Sequence, residues 1–305
     1  MRQEIKNHNI TWINIVNPDK KDVEFLKKNF NLCHSILKEY IPRIKRPKVE
    51  EYKNYAFAVI HFPVFNRKTR KTIATELDII LFENMLITNH TGTLPELKKM
   101  FEQCNSNETA KNFYIKNNAS YLILYLLDRL IDTRLPMLDH IDDHIENIEE
   151  KIFKGDEKKM VNEIAIVKHD IISFRRTIKP QRMVLESLIR IMPKLTNSNL
   201  SRLPAEVIGS NIRVWNTLEN HKEMIEALEH TNESLLSHKI GDTMKILTAF
   251  SVIVLPLSLI ANVFGMNIIK GMPFINSPFG FWIVLYLMFI ITSISFIFFK
   301  YKKWL

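Results

Sequence analysis

Cysteine is nearly missing: Cys33 and Cys104 are the only two in 305 residues. That count excludes a disulfide framework and a cysteine-built zinc knuckle, and it fits a reducing compartment. Glycine is scarce too, with seven residues, and none of them shapes a loop that would cradle a phosphate. No nucleophile motif stands out, so the chain does not read as an enzyme and calls for no organic cofactor. The first ten residues, MRQEIKNHNI, hold no apolar run, and no cleaved secretory signal is expected. A formal net charge of +9 raises the question of nucleic acid. The chain has no arginine-rich arm and no interleaving of aromatic with basic residues, so nucleic acid is not an expected partner.

The most informative absence is of charge. Between Ile246 and Phe299 only Lys270 is charged. Within that stretch, ILTAFSVIVLPLSLIANVF (246–264) and FWIVLYLMFIITSISFIFF (281–299) are each about 19 residues long. At 1.5 Å per residue each spans a hydrocarbon core of about 30 Å. Trp282, Tyr286, Tyr301 and Trp304 suit the interfacial belts of a bilayer. Lys239 and Lys245 precede the first span, and Lys300, Lys302 and Lys303 follow the second. Basic residues stay inside, which puts both termini in the cytoplasm of a cell-membrane protein. The loop between the spans then lies outside, and Gly265, Gly271, Pro273, Pro278 and Gly280 break the helix there.

Two spans cannot enclose a pore, so transport would need several copies about an axis. Ser251, Leu255, Ser258 and Asn262 step by four, three and four and share one helical face. Met244 and Leu247 continue that face toward the cytoplasm. Small polar groups on one face of a membrane helix point at a neighbouring helix or at water. Helix packing and pore lining are both open on this pattern. Pro256 removes one backbone donor and permits a bend.

The preceding residues predict an α+β cytoplasmic part. Trp12–Val16 and Tyr55–Phe65 read as strands, and Thr75–Phe82 with Met85–Asn89 as a hairpin around Glu83-Asn84. Helices are expected at Asp19–Phe30 and Leu94–Cys104. From Ser120 to Ile191 the pattern is helical, broken only near Pro136, Gly155 and Pro180. Asp139–Glu150, DHIDDHIENIEE, is densely acidic. His140 and His144 have the spacing of a chelating pair, although a solvated acidic face is the preferred reading. Such a face also concentrates cations. A last helix is expected to run unbroken from about Pro204 to Phe264, with Trp215, Leu218, Ile225, Leu228, Leu235, Ile240 and Met244 among its apolar positions. The resulting divisions are a cytoplasmic α/β domain (1–118), a helical bundle and stalk (119–245), the first span (246–264), an outer loop (265–280), the second span (281–299) and a basic tail (300–305).

Gly265-Met266-Asn267 closes the run MKILT…LPLSLIANVFGMN and is followed by Met272-Pro273, a span and KYKKWL. In this the chain resembles the CorA-type magnesium transporters, the metal ion transporter family. TWINI (Thr11–Ile15), RPKVE (Arg46–Glu50) and YAFAVI (Tyr55–Ile60) resemble that family's soluble domain, so the likeness covers nearly the whole chain. The resemblance implies a funnel-shaped homopentamer with five copies of the long helix lining the pore. It implies that Gly265, Met266 and Asn267 form the ion-selecting mouth, with Asn262, Ser258, Leu255, Ser251, Leu247 and Met244 below it. It also implies closure by cytosolic Mg2+ bound between subunits, with one ligand at or near Glu206 and its partner at Glu39 or Tyr40. Phe274 and Lys270 stand where the family often has an acidic outer loop. His230, Gly241 and Asn262 also depart from its pattern. Those departures keep open a same-fold transporter of Zn2+, Co2+ or Ni2+, with or without proton coupling. A membrane-anchored scaffold or sensor without ion flux is the reading from another class.

Overall fold

The computed structural model describes residues 2–39, 45–66, 71–116, 118–197, 200, 202–267, 271–274 and 277–304, with the side chains of Lys38 and Glu39 outside that description. Six strands form one sheet. They are β1 (Arg2–Asn7), β2 (Ile10–Val16), β3 (Lys48–Glu51), β4 (Tyr55–Asn66), β5 (Lys71–Phe82) and β6 (Met85–His90). Their order is β1-β2-β6-β5-β4-β3. Among the described residues only β2 and β6 pair parallel, and the two helices and three strands between them make the crossover that a parallel pair needs.

The two central strands β4 and β5 are long and apolar, and most of their residues are buried, which requires cover on both faces of the sheet. On one face Tyr55, Phe57 and Val59 of β4 cluster with Leu26 of α1 (Lys20–Asn29) and with Ile36 and Leu37 of α2 (His34–Glu39). Helix α1 starts at a reciprocal cap. The Asp19 carboxylate accepts from the Asp22 amide at 3.0 Å, and the Asp22 carboxylate accepts from the Asp19 amide at 3.1 Å. On the other face, Trp12 of β2 is fully buried and meets Phe101 of α3 (Pro95–Ser106) edge to face, with ring centroids 4.9 Å apart.

After the short α4 (Glu108–Tyr114) come α5 (Ala119–Asp132), α6 (Leu135–Phe153), α7 (Glu157–Ile178) and α8 (Gln181–Thr196). Their breaks fall at Pro136, Gly155 and Pro180, as expected. Gly155 has φ +96°, a left-handed conformation that costs a side-chain-bearing residue more. Helices α7 and α8 pack directly on β4. Helix α6 buries Leu138, Ile141, Ile145, Ile148 and Ile152, and its acidic residues lie off that stripe.

Helix α9 runs from Leu203 to Phe264, 62 residues without interruption, and α10 from Gly280 to Tyr301. By contacts the chain divides into two compact units, 1–229 and 230–305. The sequence reading placed divisions at 118/119 and 245/246. The helices after residue 118 share a core with the sheet because α7 and α8 seat on β4, and α9 belongs to both units.

Candidate ion-conduction and cation-sensing sites

Helices α9 and α10 are the two described helices long and apolar enough to cross a membrane. Of the most apolar 18-residue stretch of each, 6% is buried in α9 and none in α10. A core helix of a soluble protein would bury most of such a stretch, so these surfaces are made for lipid or for other chains. Along α9, Met244, Leu247 and Leu255 are 55%, 56% and 67% exposed. Ser258 and Asn262 are exposed on the same face. Ser251 turns its hydroxyl back on the helix and donates to the Leu247 carbonyl at 2.9 Å, which leaves its lone pairs available as acceptors. The helix closes with the Gly265 amide donating to the Ala261 carbonyl at 2.9 Å and the Met266 amide to the Val263 carbonyl at 3.3 Å. Asn267 therefore leaves the last turn as an exposed residue beside exposed Gly265 and Met266. Lys270 lies outside the described residues. At the start of α10, a Cβ on Gly280 would stand 2.3 Å from the Phe274 carbonyl oxygen, so this close approach is open only to glycine.

The other half of α9 buries Val207, Val214, Leu218 and Ile225, a stripe with steps of seven, four and seven. Polar clamps supplement it. Arg175 of α7 reaches Glu219 at 2.5 Å and stacks over Trp215 at 5.4 Å. Lys168 pairs with Glu229. Gln181 at the start of α8 donates to the His61 carbonyl of β4 and accepts from the Asn211 amide at 2.9 Å. His221 lies 3.3 Å from Asp142 of α6; burial lowers its pKa, against the pull of Asp142 and Asp139.

Glu206 is exposed in the first turn of α9. It lies close enough to Asp128 of α5 to act on it. Burial raises the Asp128 pKa, the charges of Asp132 and Glu206 raise it further, and Arg213 opposes them. Asp128 and Asp132 were not singled out from the sequence, although two acids four residues apart in the otherwise apolar ASYLILYLLDRLID are a readable signal. The Glu39 side chain and Tyr40 lie outside the description. Among the described residues no group of three or more His, Cys, Asp or Glu gathers closely enough to hold a metal ion. Cys33 and Cys104 are both free.

Comparison with known proteins agrees with this arrangement. The model of the CorA-like Mg2+ transporter protein family matches residues 7–302. The cobalt/magnesium transport protein CorA of Thermotoga maritima is 30% identical over 296 residues, 97% of this chain and 83% of that protein. The complete structure of the CorA magnesium transporter from Methanocaldococcus jannaschii superposes with a TM-score of 0.83 at 20% identity, covering 99% of this chain and 93% of that one. The ZntB cytoplasmic domain from Vibrio parahaemolyticus superposes with a TM-score of 0.57 at 14% identity, over 76% of this chain and 90% of that one. The family match and the relative of 30% identity place this arrangement among membrane ion transporters of channel type rather than enzymes. The chain belongs to the CorA-like Mg2+ transporter family.

Proposed function

We propose that this chain is one subunit of a homopentamer that conducts divalent cations, Mg2+ foremost, into the cell. The observation that carries the reading is the exposed face of α9, Met244 to Asn262, ending at Gly265-Met266-Asn267. Mg2+ gives up its water reluctantly. A ring of neutral Asn267 amides would hydrogen-bond the hydrated ion without stripping it. Below it, Asn262, Ser258 and Ser251 offer oxygens to that water shell. Leu255, Leu247 and Met244 form a constriction that stops ions when it dewets. The driving force is the inside-negative potential, worth about 5 kcal/mol per 100 mV for a divalent ion. This reading places both termini in the cytoplasm of the cell membrane.

Closure is assigned to cytosolic Mg2+ bound at Glu206, with Glu39 of a neighbouring subunit as the second ligand. Burial is the first cause of the raised Asp128 pKa, and the charges of Asp132 and Glu206 that add to it are what supports this reading, since a bound cation would relieve them. The proposed divisions of role are 1–118 and 119–245 for sensing and coupling, with 246–264 lining the pore.

The test is flux into liposomes loaded with a Mg2+-sensitive dye. Mg2+ uptake is expected, and Asn267→Ala should abolish it while the oligomer persists. Undiminished uptake by that variant would remove Asn267 from the mouth. Zn2+ flux only under a pH gradient would replace Mg2+ with a proton-coupled ion. No flux of any ion would leave an oligomeric scaffold.

A further inference from the structure

We propose that His140 and His144 of α6 form a chelating site for a borderline transition-metal ion, Zn2+, Co2+ or Ni2+, in the soluble unit. The two residues lie four apart on one helix, so their side chains rise from adjacent turns of a single face. In the structure the rings already lie side by side, with centroids 4.4 Å apart and planes at 69°. Two imidazole nitrogens bound to one such ion at about 2.0–2.1 Å each are at most about 4 Å apart. Rings with centroids 4.4 Å apart can each turn one nitrogen toward a shared ion.

His140 is exposed and His144 half-buried. Both line a solvent-open cavity of about 730 Å³ bordered by β4, β5, α3, α5, α6 and α7, together with Thr72, Glu96 and Asp170. They also line the neighbouring hollow that holds Asp143 and Glu163. Two histidines elsewhere have acidic neighbours, buried His221 beside Asp142 and half-buried His61 beside Glu76. His140 makes a second edge-to-face contact with Phe65 at 5.8 Å, so rotation of its ring on metal binding would alter the wall of the cavity. Two nitrogens make an open site, whose remaining positions fall to water or to a carboxylate lining the same space. Imidazole selects borderline ions over Mg2+, which prefers oxygen. The site would thus register a transition metal in a cell full of Mg2+.

Helix α6 also carries Asp142, which holds His221 of α9 at 3.3 Å. Occupancy of the histidine pair can therefore reach the helix that carries the conduction face. This consequence rests on the proposed transport; binding at the pair does not.

The experiment uses the full chain in detergent, titrated with Co2+ and followed by its visible absorption, and with Zn2+ by calorimetry. Expected is one site per chain that survives a large excess of Mg2+. His140→Gln and His144→Gln keep size and polarity, and each should weaken binding at least about tenfold, since even the loss of an outer-shell partner costs that much. The double variant should lose the site, and His8→Gln, at an exposed surface position, should leave it unchanged. Unfolding midpoints equal to the parent's would show that the variants fold. Undiminished Co2+ binding by the folded double variant, or displacement by Mg2+ at equal concentration, would overturn the proposal, whether or not the protein conducts Mg2+.

Discussion

Gln181 joins α9 to the sheet through one side chain, and its worth can be worked out. Gln181 and Asn211 are each 1% exposed. The Gln181 amide donates to the His61 carbonyl of β4, and its carbonyl accepts from the Asn211 amide at 2.9 Å. Gln181→Met keeps the length and loses both bonds, about 1 kcal/mol each. It also strands the Asn211 amide without water, which costs a further ~1–3 kcal/mol. The expected loss is about 4 kcal/mol. Asn211→Leu alone loses one bond and strands the Gln181 carbonyl, and should cost about 3 kcal/mol. With both changed only the two bonds are lost, about 2 kcal/mol, and no carboxamide is stranded between the two helices, so the double variant should be at least about 3 kcal/mol more stable than the sum of the singles implies. Denaturant unfolding in detergent, read by tryptophan fluorescence that includes buried Trp12, measures all four proteins. Additivity within about 0.5 kcal/mol would show that the two side chains do not depend on each other, and the route from sheet to α9 would have to be sought elsewhere.

A second prediction concerns pH. Lys45 lies 3.3 Å from Glu76 and 2.6 Å from Asp78. Burial drives Asp78 up to about 6, with the charge of Glu76 adding and Lys45 and Asn89 opposing. Burial also works to raise Glu76, but His61 and Lys45 outweigh it and bring the carboxyl down to about 2. The signs are therefore opposite. The Asp78 contribution is fully present below about pH 4 and is lost as pH rises through 6. That of Glu76 is present above 4.5 and is lost as pH falls through 2. About two pH units correspond to about 3 kcal/mol, so Asp78→Asn should gain about that much on the parent between pH 4 and pH 7. A gap in unfolding free energy that stays flat over that range would refute the assignment. Third, Glu206→Ala removes one of the charges acting on Asp128 and one ligand of the proposed sensor. The soluble domain of that variant should lose Mg2+-dependent protection from protease, and full protection would take Glu206 out of the sensor.

The elements legible in the sequence were those that a single periodicity governs. β4 and β5 are dense in β-branched and aromatic residues because both faces of the sheet are covered, and α9 carries no proline between Pro204 and Pro256. The two edge strands were not legible. β1, RQEIKN, alternates charged residues and buries only Ile5, and β3, KVEE, has no residue that is fully buried. Charged edges keep a sheet from pairing with another chain, and the same charges erase the apolar signal. Nor does spacing disclose Asn211 or Gln181. Their roles depend on where α8 begins relative to β4, and that is settled by packing between segments far apart in the chain.

The proposed conduction face was singled out for a different reason, and it shows how far a single chain can go. Before Met244, α9 buries an apolar stripe of Val207, Val214, Leu218 and Ile225, with Ser210, Asn211, His221 and Asn232 buried beside it, so burial follows hydropathy along the stripe. Beyond Met244 they part. Val252, Val254 and Leu259 are exposed just as Leu255 and Leu247 are, and no hydrophobic scale can tell which of them faces lipid and which a neighbouring copy. What distinguishes one side is chemistry that lipid does not tolerate, the hydroxyls of Ser251 and Ser258 and the amide of Asn262, leading to Asn267 where the helix ends. Leu255, Leu247 and Met244 belong to that side only through their register with it. A wall built from repeats of one face would leave that face uncovered on each chain, so the proposed assembly around an axis predicts that crosslinks between copies form through Ser251, Ser258 and Asn262 rather than through Val252 and Leu259.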